Sequence, residues 1–149
     1  MNIAIDVMGG DYAPEAVVDG ILLAISNLAP EETILAVGPA DTINTLLTER
    51  GYTGSQIRVI HAEEVIEMGE HPTRALSQKP NSSIGVGFAL LKEGKADIFA
   101  SAGNTGAMMV GSLFSVKTIE GISRPAIAGF VPQEDGTYAL MLDIGANAD

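Results

Sequence analysis

The chain has 149 residues, the length of one ordinary domain, and 46% of them are hydrophobic, enough for a sizeable core. Asp and Glu number 19 against 8 Lys and Arg, and the net charge of −11 repels nucleic acid and anionic membrane surfaces; any anion site must work locally, through backbone dipoles and a few cations. Without Cys or Trp, disulfides, thiolate metal sites and a Cys nucleophile are excluded and the core must be aliphatic.

Residues 2–7 read as a buried strand carrying Ile3, Ala4, Ile5 and Val7. Strand-like sequence so near the start leaves no basic leader, and the expectation is a cytoplasmic protein. Met8-Gly9-Gly10-Asp11 is a turn, and Pro14 suits the first turn of a helix. That helix buries Val17, Val18, Ile21, Leu22, Ile25 and Leu28 on one face, and Pro30 stops it. Residues 33–37 form a second strand, and Asp41 is placed to cap a helix over 42–50 that Gly51 closes. Residues 57–60 are a third strand. The acidic stretch 63–71 reads as irregular surface. Ser82 or Ser83 caps a helix to about Glu93, with Gly94 closing it. Residues 97–100 are a short strand, 103–106 a turn, and a helix follows to about Lys117. The stretch 98–114 is apolar, but Ser101, Asn104, Thr105 and Ser112 make it too polar, and its length too short, to span a bilayer. Residues 126–131 and 137–144 form a hairpin across 132–136. Strands alternating with helices predict an α/β fold, a mostly parallel sheet with helices on both faces plus an antiparallel hairpin. Ligands in such sheets bind outside the carboxyl ends of the strands, where both glycine turns fall.

The strongest motif is Ser101-Ala102-Gly103-Asn104-Thr105-Gly106-Ala107. Small residues allow close backbone approach, and a helix beginning at Thr105 aims free N–H groups and its positive dipole end at an anion. The same residues serve a tight turn and close helix packing. Asp6 and Asp11 flank the Gly9-Gly10 turn; Asp11 is suited to orienting a hydroxyl, holding a cation or capping the next helix, whereas Asp6 sits in a buried strand and needs partners. Asp143-Ile144-Gly145-Ala146-Asn147 either lines the same cleft or is a loop. His61 and His71 lack metal-ligand spacing and read as structural or surface residues, with His71 the better candidate for proton transfer. Arg74, Lys79, Lys92 and Lys95 form either solvated surface or a patch for an acidic carrier protein, and Arg124 either meets an anion or ends a loop. The Gly-x-Gly-x-x-Gly fingerprint of dinucleotide binding and the Gly-Lys-Ser/Thr of nucleotide loops are absent.

In order and spacing, these pieces resemble the bacterial phosphate acyltransferase (PlsX) family from end to end. They are Ile5-Asp6-Val7-Met8-Gly9-Gly10-Asp11 with Ala13-Pro14-Glu15, Val65-Ile66-Glu67-Met68, Ser82-Ser83, Gly94-Lys95-Ala96-Asp97, the Ser101–Ala107 run, Arg124-Pro125 and Leu142-Asp143-Ile144-Gly145-Ala146-Asn147. The resemblance implies transfer of a fatty acyl group from acyl carrier protein to inorganic phosphate, giving an acyl phosphate for phospholipid synthesis. It also implies a three-layer α/β/α fold like isocitrate and isopropylmalate dehydrogenases, a homodimer, peripheral membrane association, no cofactor and no nucleic acid partner. Family members continue for roughly as long again, so the chain corresponds to an N-terminal α/β domain, 1–149. His71-Pro72-Thr73-Arg74 departs from the acidic residues many members carry there.

Phosphate can attack a thioester directly and a thiolate leaves readily, its pKa being about 8.5, so neither a side-chain nucleophile nor a strong general acid is required. Positioning, worth roughly 7–11 kcal/mol in favourable cases, and an oxyanion donor, on the order of 3 kcal/mol, remain. The expected catalytic residues are Asn104, Asp6 and Asp11. Gly9, Gly10, Ser101, Gly103, Thr105, Gly106 and Asn147 are the expected phosphate ligands. The competing readings are a phosphotransacetylase-like transferase using acyl-coenzyme A, and an inactive module that binds carrier protein or dimerises.

Overall fold

The computed structural model describes residues 1–144. Four parallel strands, β1 (Asn2–Asp6), β2 (Thr33–Gly38), β3 (Ile57–His61) and β4 (Ile98–Ala100), form one sheet in the order β3-β2-β1-β4. The helices are α1 (Glu15–Ile25), α2 (Ala40–Glu49), α3 (Pro72–Gln78), α4 (Ser83–Lys92) and α5 (Thr105–Gly111), the last continued by a π-helical turn, Ser112–Val116. A separate antiparallel ribbon, β5 (Ala128–Pro132) and β6 (Tyr138–Leu142), follows.

Alternation along the central strands explains the layers. Ile34 and Ala36 of β2 join Val7 in packing under Val18 and Ile21 of α1 and Ile43, Leu46 and Leu47 of α2. Leu35 and Val37 face the other way and, with Ala4, meet Leu90 of α4. Helices therefore cover both faces, and β2, apolar from Ile34 to Val37, is buried from both sides, while β1 contributes Ile3, Ala4 and Ile5 beside it. A third cluster, Ile66, Ala75, Ile84, Phe88 and Ala107, joins α3, α4 and α5. Each fully buried aliphatic side chain contributes about 1.5–3 kcal/mol.

Helix ends follow the glycines. Gly51 (φ 69°) and Gly94 (φ 67°) take the left-handed conformation that glycine adopts without strain; their own amides donate to the Thr48 and Leu91 carbonyls, and the amides of Tyr52 and Lys95 after them to those of Leu47 and Leu90. Ser82 proves to be the cap of α4, its Oγ accepting from the Gly85 amide at 3.1 Å. Three expectations are corrected. Asp41 does not cap α2, because Gly38-Pro39 turns the chain early enough for the helix to begin at Ala40. Asp11 does not cap α1 either, since Pro14 holds that position without a side-chain bond. The stretch 63–71 is irregular but not merely surface: Ile66 is buried and Glu64 pairs with Ser82. Among the described residues, no helix is long and apolar enough to cross a membrane.

The chain leaves β1 through α1 toward β2 on one side and returns through α4 to β4 on the other. The carboxyl ends of β1 and β4 are therefore the point where the winding reverses, the usual place for a ligand crevice.

Candidate functional site

The turns after β1 and β4 touch directly. The Asp6 carboxyl is buried; one oxygen accepts from the Met8 amide at 3.0 Å and the other from Ser101 Oγ at 2.7 Å. Ser101 Oγ in turn accepts from the Gly103 amide at 3.0 Å. Ninety-five positions of sequence are thus closed by one side-chain bond, and the need of buried Asp6 for partners is met. Gly9 is buried against this knot: a Cβ there would lie 2.7 Å from Asp6 Oδ2, from the Gly103 amide nitrogen and from Ser101 Oγ. Gly10 (φ 113°) lets the chain turn away over Ala102. Asp6, Gly9 and the Gly103 amide are therefore committed to joining the two turns, and Asp11 is exposed to one side.

Asn104 is likewise engaged with protein. It caps α5, its Oδ1 accepting from the Ala107 amide at 2.9 Å, while its Nδ2 donates to the carbonyls of Glu67 (3.0 Å), Met68 (3.3 Å) and Glu70 (3.1 Å). These carbonyls were invisible to sequence reasoning, which sees side chains rather than main-chain acceptors 34 to 37 positions away. Lys79 fastens the same segment, donating to the Val65 carbonyl and to Glu70, both at 2.7 Å. That ammonium, and next the Glu67 amide, hold the Glu70 carboxyl below its ordinary value of 4.5. A depressed pKa contributes stability above the unfolded value that is lost as pH falls through the folded one. Acidification below 4.5 is therefore expected to loosen residues 63–71 first, seen as faster amide exchange there, and Glu70→Gln should remove that pH dependence.

Two N–H groups of the turn, those of Thr105 and Gly106, lie in the first turn of α5, where no intrahelical acceptor exists. Thr105 is exposed. Before it lie two contiguous cavities. One, about 300 Å³, has a polar rim of Ser101, Gly103 and Thr105. The other, about 390 Å³, runs from Thr105 and Gly106 along Met109, Val110 and Leu113 to Ile127 and Ile144, with Arg124 on its wall. Of the expected ligands, Ser101, Gly103, Thr105 and Gly106 border this space; Asn147 lies outside the described residues. The apolar wall went unread because Met109, Val110 and Leu113 look like any buried helical face. His71 stands exposed before α3, and His61 Nδ1 accepts from the Ala40 amide at 3.3 Å. Lys79 and Lys95 are paired with Glu70 and Glu93, which withdraws them from any cationic patch.

Fold and geometry together define the class: a parallel α/β protein whose cleft opens at the reversal point of its sheet, before a helix start. Comparison with known proteins makes this particular. The model of the family described as fatty acid synthesis protein matches residues 1–149, and the chain belongs to that family. It is 47% identical over 149 residues to a phosphate acyltransferase of Salinibacter ruber, covering 99% of this chain and 44% of the relative. Against the phosphate acyltransferase of Acetivibrio thermocellus the identity is 48% over 147 residues, covering 99% and 43%. Against that of Bacillus subtilis it is 46% over 149 residues, covering 100% and 44%. The chain spans less than half the length of these relatives.

Proposed function

We propose that the chain is the N-terminal α/β domain of a phosphate acyltransferase, and that its helix-start cleft holds the phosphate that accepts the acyl group. The observation carrying this is the first-turn residue Thr105, whose amide has no intrahelical acceptor, at the edge of a cavity rimmed by Ser101, Gly103 and Thr105, with Gly106 bordering the adjoining cavity. In a molecule of net charge −11, a dianion has to be recruited locally, by such dipoles and by the few cations near the cleft, such as Arg124 on the adjoining wall. Support for the reaction comes from the shared ancestry with proteins named phosphate acyltransferase.

The donor is acyl-acyl carrier protein and the acceptor inorganic phosphate. A phosphate oxygen attacks the thioester carbonyl carbon; the C–S bond breaks, the carrier leaves as thiolate and takes up the proton released by hydrogen phosphate. The product, an acyl phosphate, supplies phospholipid synthesis. Thr105 and Gly106 amides, with the Thr105 and Ser101 hydroxyls, orient the nucleophile; orientation of two reactants is the largest contribution this machinery makes. Asn104, Asp6 and Gly9 act as positioning residues, holding the helix start and the opposite turn, and Asp11, Gly10 and Asn147 complete the rim. The full protein works as a cytoplasmic homodimer of isocitrate dehydrogenase-like fold, touching the membrane peripherally.

Thr105→Pro tests this. Proline at the first helical position keeps the helix but deletes the N–H, and Asn104 already has the extended conformation (ψ 105°) that a following proline requires. In the full-length protein the phosphate KM should rise roughly 10- to 100-fold, the worth of a hydrogen bond to a charged group. Thr105→Ala, which keeps the amide, should change it less. Equal phosphate KM in wild type and Thr105→Pro would remove the amides from the mechanism.

A further inference from the structure

The larger cavity has a chemistry the phosphate does not explain. From Thr105 it follows α5 past Met109 and Val110 to Leu113 in the π-helical turn, eight positions on and so about 12 Å at helical rise, and Ile127 and Ile144 line it as well. Apart from Thr73, Thr105 and Arg124, the residues lining it are apolar, with Met109, Val110, Leu113, Ile127 and Ile144 supplying most of the wall. It shares Thr105, Met109, Pro125 and Ile127 with the polar-rimmed cavity, so the two spaces meet at the helix start. An occupant of both is amphiphilic: polar where Thr105 stands, unbranched and apolar along α5.

We infer that this trough receives the aliphatic chain of the acyl group, with Thr105 marking the reacting carbon and Leu113 setting how long a chain is accepted. The inference rests on the transferase reading above for the identity of its ligand, but it concerns binding and is tested without turnover. An acyl carbonyl at the Thr105 end would stand beside the first-turn amides, within reach of a phosphate in the neighbouring cavity. The tail would run away from both. Met109 suits a wall that accommodates tails of differing saturation, since its unbranched thioether repacks easily.

The test is binding of free fatty acids of stepped length to the chain, followed by displacement of a fluorescent fatty acid and by calorimetry. In the wild type, affinity should rise about fourfold per added methylene and then level off when the trough is full. Leu113→Trp should weaken decanoate at least tenfold while changing hexanoate less than twofold. Leu113→Ala, which empties the far end, should move the plateau to longer chains, and it serves if the tryptophan variant fails to fold. Affinity independent of chain length, or a plateau untouched by both substitutions, would overturn the assignment. Failure of the phosphate reading looks different: an unaltered phosphate KM in Thr105→Pro beside intact, length-dependent fatty acid binding.

Discussion

Gly9→Ala is expected to cost roughly 3–5 kcal/mol of stability. Its Cβ would sit 2.7 Å from three atoms at once, two of them in the Asp6–Ser101 bond and the third a backbone nitrogen. None is the free end of a flexible side chain, so the turns must separate. Overpacking of this kind typically costs about 1–3 kcal/mol, and loosening a buried carboxyl from its donor adds about 1–3 kcal/mol or more. Gly103→Ala meets nothing closer than 3.1 Å and should cost less. Gly20→Ala, on the exposed face of α1 with nothing within 4 Å, should instead stabilise by about 0.5–1 kcal/mol. Denaturant melts of the three variants check the ordering; a Gly9→Ala protein as stable as Gly20→Ala would show that the turns do not bear on each other.

Asn104→Ala should be nearly as damaging, at roughly 2–4 kcal/mol. Loss of the cap accounts for about 1 kcal/mol, and three carbonyls left without their donor account for the rest. In a domain of this size the melting temperature should fall by roughly 5–15 °C. Asn104→Ser separates the two contributions, because serine caps a helix yet is too short to reach residues 67–70. It should restore about 1 kcal/mol while leaving amide exchange in 63–71 as fast as in the alanine variant. If Asn104→Ala left that segment fully protected, Asn104 would not be what ties it to α5.

The main elements were legible in the sequence because β1 and β2 carry the apolar runs Ile3–Ile5 and Ile34–Val37 and α1 carries its apolar residues at helical spacing. The two closing glycines and the Ser82 cap were legible for the same local reason. Helix α3 was not: seven residues with Ala75 as the sole buried one give no periodicity to read. The acidic letters of 63–71 suggested water on all sides, yet one buried Ile66 and three main-chain carbonyls anchor it. Both glycine motifs fall, as expected, at the carboxyl ends of β1 and β4. What single letters could not tell is which small residues border a cavity and which approach one another. Gly9 and Gly103 face each other across a contact between residues far apart in sequence, and Gly106 is pressed against Pro72, while Thr105, two positions beyond Gly103, is exposed.

The ribbon of β5 and β6 has a consequence for traffic through the cleft. Phe130, Tyr138, Leu140 and Leu142 remain more than half exposed, and a two-stranded hairpin in water is marginally stable by itself. Its root nevertheless supplies Ile127 and Ile144, one whole bank of the aliphatic channel. The opposite bank is a helix locked at its start by Asn104. Under the acyl-chain assignment, entry and exit of the tail need not run lengthwise: peeling back the weaker bank opens the channel from the side, and stiffening that ribbon, for instance by a cross-strand disulfide, should slow fatty acid release without changing what is held.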